Sequence, residues 1–275
     1  MTVATRRARL DAELVRRGLA TSRSEAQGLV AEGRVLLDGT VARKPATLVA
    51  SAQALAVGGD AARWVSRGGH KLAGALAVLD VAVLGRHCLD AGVSTGGFTD
   101  VLLHAGAARV VGVDVGYGQL DWRLRTDPRV VVLERTNIRH LEAGSLPLPI
   151  PSLVVADLSF ISLRIVLPAL ARLAVPDADH VLLVKPQFEA GPQRVGPGGV
   201  VRDPDVWRDC IEAVVGVADA QGLGLAAATV SPLPGPAGNI EFFVHLRRGA
   251  TASPGAVDGA VTQGEALAAR GATRP

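Results

Sequence analysis

"HCLDAGVSTGGFTDVLLHAGAARVVGVDVG", residues 87–116, decides the fold. It reads as strand, glycine-rich turn, helix and second strand. The first strand ends on Asp90. Gly92, Gly96 and Gly97 then allow backbone to approach a ligand closely. The second strand is a continuous apolar run ending on Asp114, 24 residues after Asp90. The loop is not the G-x-G-x-x-G of dinucleotide sites. Nor is it a G-x-x-x-x-G-K-[ST] phosphate loop, because no lysine follows. An acidic side chain at the second strand end can accept hydrogen bonds from ribose hydroxyls.

The same alternation continues outward. "VVVLERTN", "SLVVADLSF", the helical "LRIVLPALARLA" and "HVLLVKPQF" follow in order, then "GLAAATVSPL" and "GNIEFFVHLRR". Continuous Val and Leu runs suit strands covered by helices on both faces. The expectation is an α/β domain with a mostly parallel sheet, its last two strands forming an antiparallel hairpin. Residues 249–275, rich in Ala, Gly and Thr, read as a flexible tail, mobile or only partly helical.

Upstream, "RARLDAELVRRGL" puts Leu10, Leu14 and Val15 on one helical face, with Gly18 as a stop. "SRSE", from Ser22 to Glu25, reads as a capping box opening a second helix. "RVLLDGTVA" is strand, Asp38-Gly39 turn and strand. "QALAV" adds a further strand. The first 65 residues hold ten basic and six acidic side chains; the rest of the chain holds 19 and 20. The positive excess therefore belongs to this small α+β module, a candidate binder of polyanions. "GGDAARWVSRGG" (residues 58–69) reads as a linker, assigned to 59–65. Trp64 within it either buries its ring between the domains or begins the second domain's first helix.

Composition narrows the function classes. The chain is 48% hydrophobic but only 3% aromatic, so its core must be built mainly from Val, Leu and Ala. The most apolar stretch, residues 153–175, is broken by Asp157, Arg164 and Arg172, which argues against a membrane span. No secretory signal opens the chain. Cys88 and Cys210 suit a reducing compartment, and no histidine stands at zinc-ligand spacing from either.

Lysine is the most informative residue type. Only Lys44, Lys71 and Lys185 occur among 29 cationic Lys and Arg side chains. Lys185 closes "HVLLVK" and Asp157 closes "LVVAD", both at strand ends, where open α/β sheets bind ligands. Lys71 lies in "SRGGHKLAGAL", on the helix before the first strand. Glu241 begins the last strand, after "PLPGPAGN". Arginine cannot replace lysine where a compact or tunable ammonium is needed.

These motifs carry resemblances. The glycine loop with Asp114 resembles the first two motifs of class I methyltransferases, which implies S-adenosyl-L-methionine as cofactor. The implied contacts come from Asp90, Gly92, Ser94, Thr95, Gly96, Gly97, Phe98, Asp114 and Asp157. "RLDAELVRRGLATSRSEAQGLVAEGRVLLDGTVARKPATLV" resembles the S-four-like RNA-binding domain. That likeness implies RNA contacts from Arg6, Arg7, Arg9, Arg16, Arg17, Arg23, Arg34, Arg43 and Lys44. Lys71, Asp157, Lys185 and Glu241 match the catalytic Lys-Asp-Lys-Glu tetrad of FtsJ-like ribose 2′-O-methyltransferases. With "VSRGGHKL", "KPQFE" and "SPLPGPAGNIEFF", the chain resembles the TlyA family of ribosomal RNA cytidine 2′-O-methyltransferases, a family also named for haemolysis. The resemblance implies an RNA-binding domain over 6–58 and a Rossmann-like methyltransferase domain over 66–248. It further implies ribosomal RNA or ribosomal subunits as partners, a cytoplasmic location, no metal, no membrane and no obligate protein partner. Lys185 would approach the ribose hydroxyl, as neutral base or as ammonium beside the developing alkoxide. Two other readings stay open: a non-catalytic RNA-binding assembly factor, and a membrane-active protein.

Overall fold

The computed structural model describes residues 7–31, 33–38, 40–42, 44–58, 64–147 and 149–272. The chain forms two compact units that divide between residues 63 and 64. Most of the expected linker, residues 59–63, lies outside the described residues, as do Arg6, Gly39 and Arg43.

The first unit runs β1 (Arg7–Arg9), α1 (Leu10–Arg16), α2 (Arg23–Ala31), β2 (Val35–Leu37), β3 (Thr40–Val41), β4 (Leu48–Ala50) and β5 (Leu55–Val57). β3, β2 and β5 form one antiparallel sheet, and β1 pairs with β4 in another. The α1 stripe packs Leu10 and Leu14 against Ala26, Leu29 and Val30 of α2 and against Val35 and Val49. Gly18 takes φ +69°, which ends α1 without the Cβ strain another residue would carry. Ser22 Oγ accepts from Glu25 N at 3.1 Å, half of the expected capping box. The Glu25 carboxylate returns to Thr21 N at 2.6 Å rather than to Ser22.

The second unit opens with α3 (Arg67–Leu79), β6 (His87–Ala91), α4 (Gly97–His104), β7 (Arg109–Val113), α5 (Trp122–Arg125) and β8 (Val130–Leu133). It continues with β9 (Leu153–Ala156), α6 (Leu163–Arg172), β10 (Asp179–Val184), α7 (Pro186–Glu189), α8 (Pro204–Asp219), β11 (Leu223–Val230), β12 (Phe242–Arg248) and α9 (Ala256–Ala272). Seven strands form one sheet in the order β11-β12-β10-β9-β6-β7-β8. β6 to β10 are mutually parallel, and β12 runs antiparallel to both β10 and β11. Side chains alternate between two apolar layers. Leu89, Val111, Val154, Leu182 and Phe242 enter one, with α6, α8 and α9. Cys88, Val110, Leu153, Val181 and Phe243 enter the other, with α3 and α4. This two-sided burial explains the unbroken Val and Leu runs. Each fully buried side chain of this size contributes roughly 1.5–3 kcal/mol.

Two expectations are corrected here. Residues 256–272 of the tail form α9, which lies on β11 and α8. Ala260 and Val261 are buried, and Gln263 Oε1 accepts from Thr229 Oγ1 at 3.0 Å. Tertiary packing stabilises a helix whose periodicity is weak. The last two residues of the expected linker, Trp64 and Val65, belong to the second unit. The Trp64 ring is buried with Leu72, Leu76 and Phe98, edge-on to His104 at 5.1 Å. Val65 N donates to Asp100 Oδ2 at 2.8 Å.

Candidate active site

The chain leaves β6 outward to β7 and β8, then returns to β9 on the other side of β6. The strand order thus reverses between β6 and β9, and a crevice opens there at the carboxyl ends. Asp90 on β6 and Asp157 after β9 flank it.

The glycine loop lines this crevice for steric reasons. Gly92 has φ +86°, and a Cβ there would stand 2.5 Å from the Asp157 carbonyl oxygen. Asp114, just past β7, secures the loop: Oδ2 accepts from Ser94 N at 2.8 Å and Oδ1 from Gly116 N at 2.7 Å. Asp90 lies beneath and is fully buried. Burial pushes its carboxyl up to about 7, against the opposing hydrogen bond from Thr99. Thr99 Oγ1 donates to Asp90 Oδ2 at 2.7 Å, whereas Oδ1 has no hydrogen-bond partner among the described residues.

Two adjoining cavities share Gly92, Ser94, Asp157 and Ser159. The larger, about 530 Å³, is walled by Asp114, Val115, Asn137, Ile138 and Phe160 among others. That volume suits a nucleoside-sized ligand. The smaller, about 270 Å³, is walled by Arg67, Lys71, Thr95, Gly97, Phe98 and Lys185 among others.

All four tetrad residues meet here, in two ion pairs. Lys185 Nζ stands 2.5 Å from Asp157 Oδ1 and donates to Ser159 Oγ at 2.9 Å. Lys71 Nζ stands 2.5 Å from Glu241 Oε2, and Gln187 Nε2 donates to Glu241 Oε1 at 3.4 Å. The Lys71 and Glu241 side chains are 6% and 1% exposed. A buried pair recovers its desolvation cost only with good geometry, so it is weak as a stabiliser and strong as a positioning device. The 232–239 turn folds over Glu241: a Cβ on Gly235 would meet Glu241 Oε1 at 2.5 Å.

The expected cofactor residues divide by role. Gly92, Ser94, Thr95, Gly97, Phe98, Asp114 and Asp157 line one or both cavities. Gly96 instead packs against Leu120 and Leu124 at φ +97° and shapes the turn. The set fits S-adenosyl-L-methionine on two observations. Gly92 keeps the crevice free of a Cβ, and Asp114 stands in the wall of the larger cavity, where its carboxylate can accept from ribose hydroxyls, whereas Asp90 lies beneath and lines neither cavity. Sequence reasoning missed Ser159, Asn137, Ile138 and Arg67. Asn137 and Ile138 follow a strand and Arg67 precedes the lysine-bearing turn of α3, positions that were the available signal, whereas Ser159 carried none.

The basic residues of the first unit also divide. Arg9 and Arg23 both pair with the buried Asp11, at 2.9 and 3.0 Å. Arg16 and Arg17 pair with Glu13, whose carboxyl Arg16 first and then Arg17 hold at about 2, against burial. Arg17 also donates to the carbonyls of Ala50, Ser51 and Gln53. These contacts make Arg17 a support of the fold. Arg34 donates to the Gly58 carbonyl at 3.3 Å. Arg7 and Lys44 are exposed.

Comparison with known proteins agrees with this geometry. Residues 64–248 match the FtsJ-like methyltransferase family and residues 8–53 the S4 domain. The chain is 59% identical over 243 residues to the 16S/23S rRNA (cytidine-2'-O)-methyltransferase TlyA of Mycobacterium tuberculosis, covering 88% of this chain and 90% of that protein. It is 37% identical to Hemolysin A of Brachyspira hyodysenteriae, over 86% of this chain and 99% of that one. A solved structure from Streptococcus thermophilus, described as a candidate hemolysin, superposes with a TM-score of 0.78 at 37% identity. It covers 98% of this chain and 100% of its own.

Proposed function

The chain belongs to the TlyA family of FtsJ-like, S-adenosylmethionine-dependent methyltransferases, and from that premise we propose that it methylates a ribose 2′-hydroxyl of ribosomal RNA, that of a cytidine. The observation that carries this reading is that two Lys–carboxylate pairs bring their amines to the smaller cavity, whose wall shares Asp157 with the larger. Cytidine and the ribosomal substrate, as free RNA or within a subunit, rest on what the Mycobacterium tuberculosis relative is named for. A substrate of that kind puts the reaction in the cytoplasm. The names given to other relatives raise a membrane-active reading; among the described residues no helix is long and apolar enough to cross a membrane.

S-adenosylmethionine, when bound, supplies an electrophilic methyl group on a sulfonium. Asp114 would hold its ribose hydroxyls, and the 92–97 backbone would cradle its amino-acid end. The chain's own groups then prepare the acceptor oxygen. A ribose hydroxyl is a poor nucleophile at neutral pH. Lys185 has an ammonium with three N–H donors; Asp157 and Ser159 face two of them. A further N–H is directed to the 2′-oxygen, where it stabilises the negative charge that grows as the hydroxyl proton passes to solvent water. Lys71, held by Glu241, adds positive potential to the same cavity. Fixing the oxygen beside the methyl supplies the remainder through proximity.

The test is methyl transfer from labelled S-adenosylmethionine to ribosomal RNA. Lys185→Ala should lower the rate by at least about 100-fold, the scale of general acid–base help, with cofactor affinity retained. Lys185→Arg should fail as well, because the guanidinium is forked and larger. RNA carrying a 2′-deoxy target should bind and accept no methyl. Activity of Lys185→Ala within a few-fold of the native enzyme, or methylation of the deoxy substrate, would sink the reading.

A further inference from the structure

The loop after β9 and the turn after β10 are joined by a series of contacts that extends past the tetrad. Lys185 meets Asp157 and Ser159. The rings of Phe160 and Phe188 stand 5.4 Å apart. Glu189 closes the series from the end of α7, four residues beyond Lys185, with its side chain 1% exposed.

Every oxygen of that carboxylate is used, and always by the opposite loop. Oε1 accepts from Leu163 N at 2.6 Å. Oε2 accepts from Ser162 Oγ at 2.5 Å and from Arg164 Nε at 3.2 Å. Arg164 Nη2 also donates to the Glu189 carbonyl at 2.9 Å. Ser162 is the N-cap of α6, five residues beyond Asp157. A buried carboxylate is an expensive way to join two turns if stability alone is served. What it adds is direction, because both oxygens are committed to donors at the start of α6. Between the two anchors Phe160 sits at φ +64°, a conformation that persists only where the surroundings over-determine it.

We propose that Glu189 is a positioning residue for methyl transfer: it fixes the 157–162 loop against the Lys185 turn, so that Asp157 and Ser159 aim Lys185 Nζ at the acceptor oxygen. This rests on the reading of Lys185 as the group that meets that oxygen.

Glu189→Gln keeps the volume but turns one acceptor into a donor facing donors. In single-turnover methylation with saturating S-adenosylmethionine and ribosomal RNA, the rate should fall about 10- to 100-fold, the scale of a small misplacement of a reacting group. The dissociation constant for RNA should change less than about two-fold and that for cofactor by less than the rate falls, because the 157–162 loop also walls the larger cavity, a split that a general structural loss would not produce. Ser162→Ala, which removes one donor, should cost several-fold and combine with Glu189→Gln less than additively. In a Lys185→Ala background, Glu189→Gln should cost nothing further. A native rate in Glu189→Gln, or an undiminished penalty in the Lys185→Ala background, overturns the inference. Should Glu189→Gln fail to fold, Ser162→Ala decides, and a native rate there overturns it. If Lys185→Ala itself keeps the native rate, the reading of the active site has failed instead.

Discussion

At the scale of single residues, chemistry at the site depends on groups that are paired rather than free. Each of the two scarce lysines in the crevice faces its own carboxylate. Asp114 serves twice, securing the loop through two backbone amides and offering acceptors to a ribose. Asp114→Ala should therefore weaken cofactor binding about 10- to 150-fold, from about 1.5–3 kcal/mol for a lost charged acceptor. Titration calorimetry checks this, and an unchanged dissociation constant would remove Asp114 from the cofactor contacts. Lys185 and Asp157 stood out in the sequence because lysine is rare here and strand ends are where such sheets bind ligands, while the resemblance to the FtsJ-like tetrad joined Lys71 and Glu241 to them. Ser159 was not, because a serine two residues after an aspartate has no signature until the Lys185 amine is seen beside it.

At the scale of elements, β10 carries a titrating group far from the chemistry. His180 is buried, and burial lowers its pKa to about 4. In the unfolded chain it would titrate near 6.5. Its contribution is therefore complete above about pH 6.5 and lost as pH falls toward 4, about 3 kcal/mol in all. Asp90 works in the opposite sense. Burial raises it to about 7, so its burial penalty is full above that pH and is relieved as pH falls toward 4, by about 4 kcal/mol. The two trends oppose each other in the wild-type protein. His180→Leu should expose the Asp90 trend, and stability should then rise as pH falls from 7 to 4.5. Urea unfolding at several pH values measures this; an unchanged slope would show that His180 does not titrate as argued. Helix α9 allows a second test. Deleting residues 251–275 uncovers the Phe242 layer and should cost about 2–4 kcal/mol, lowering Tm by about 5–15 °C. Cofactor binding should survive, because the crevice lies on other elements. An unchanged Tm would show that α9 contributes little. The sequence hid α9 because its apolar face is built from small residues. Gly264 touches the Phe242 ring through the space a Cβ would fill, 3.0 Å from it.

At the scale of the whole molecule, two units with separate cores divide the work. Removing residues 1–63 should leave a folded unit that binds S-adenosylmethionine but scarcely methylates ribosomal RNA. The basic excess lies in the removed part, and phosphate contacts supply most non-specific affinity. Methyl incorporation by the intact and shortened proteins at several salt concentrations is the measurement, with equal rates at moderate salt counting against the first unit as the RNA-targeting part. The expected loss comes from fewer residues than the count of arginines implies, since Asp11 and Glu13 engage four of them. The sequence by itself determined the strand and helix succession, the division into two units and the glycine loop. These follow from local periodicity, turn chemistry and strand-end position, all of which are written along the chain. Tertiary structure alone decided which lysine faces which carboxylate, that Arg17 supports the fold, that α9 exists as a packed helix, and that Glu189 ties the start of α6 to the turn after β10. Those contacts join residues such as Lys71 and Glu241 that are 170 positions apart. Such pairings are set by the strand order of the sheet and the exclusion of water from its carboxyl ends, which no local stretch of sequence encodes.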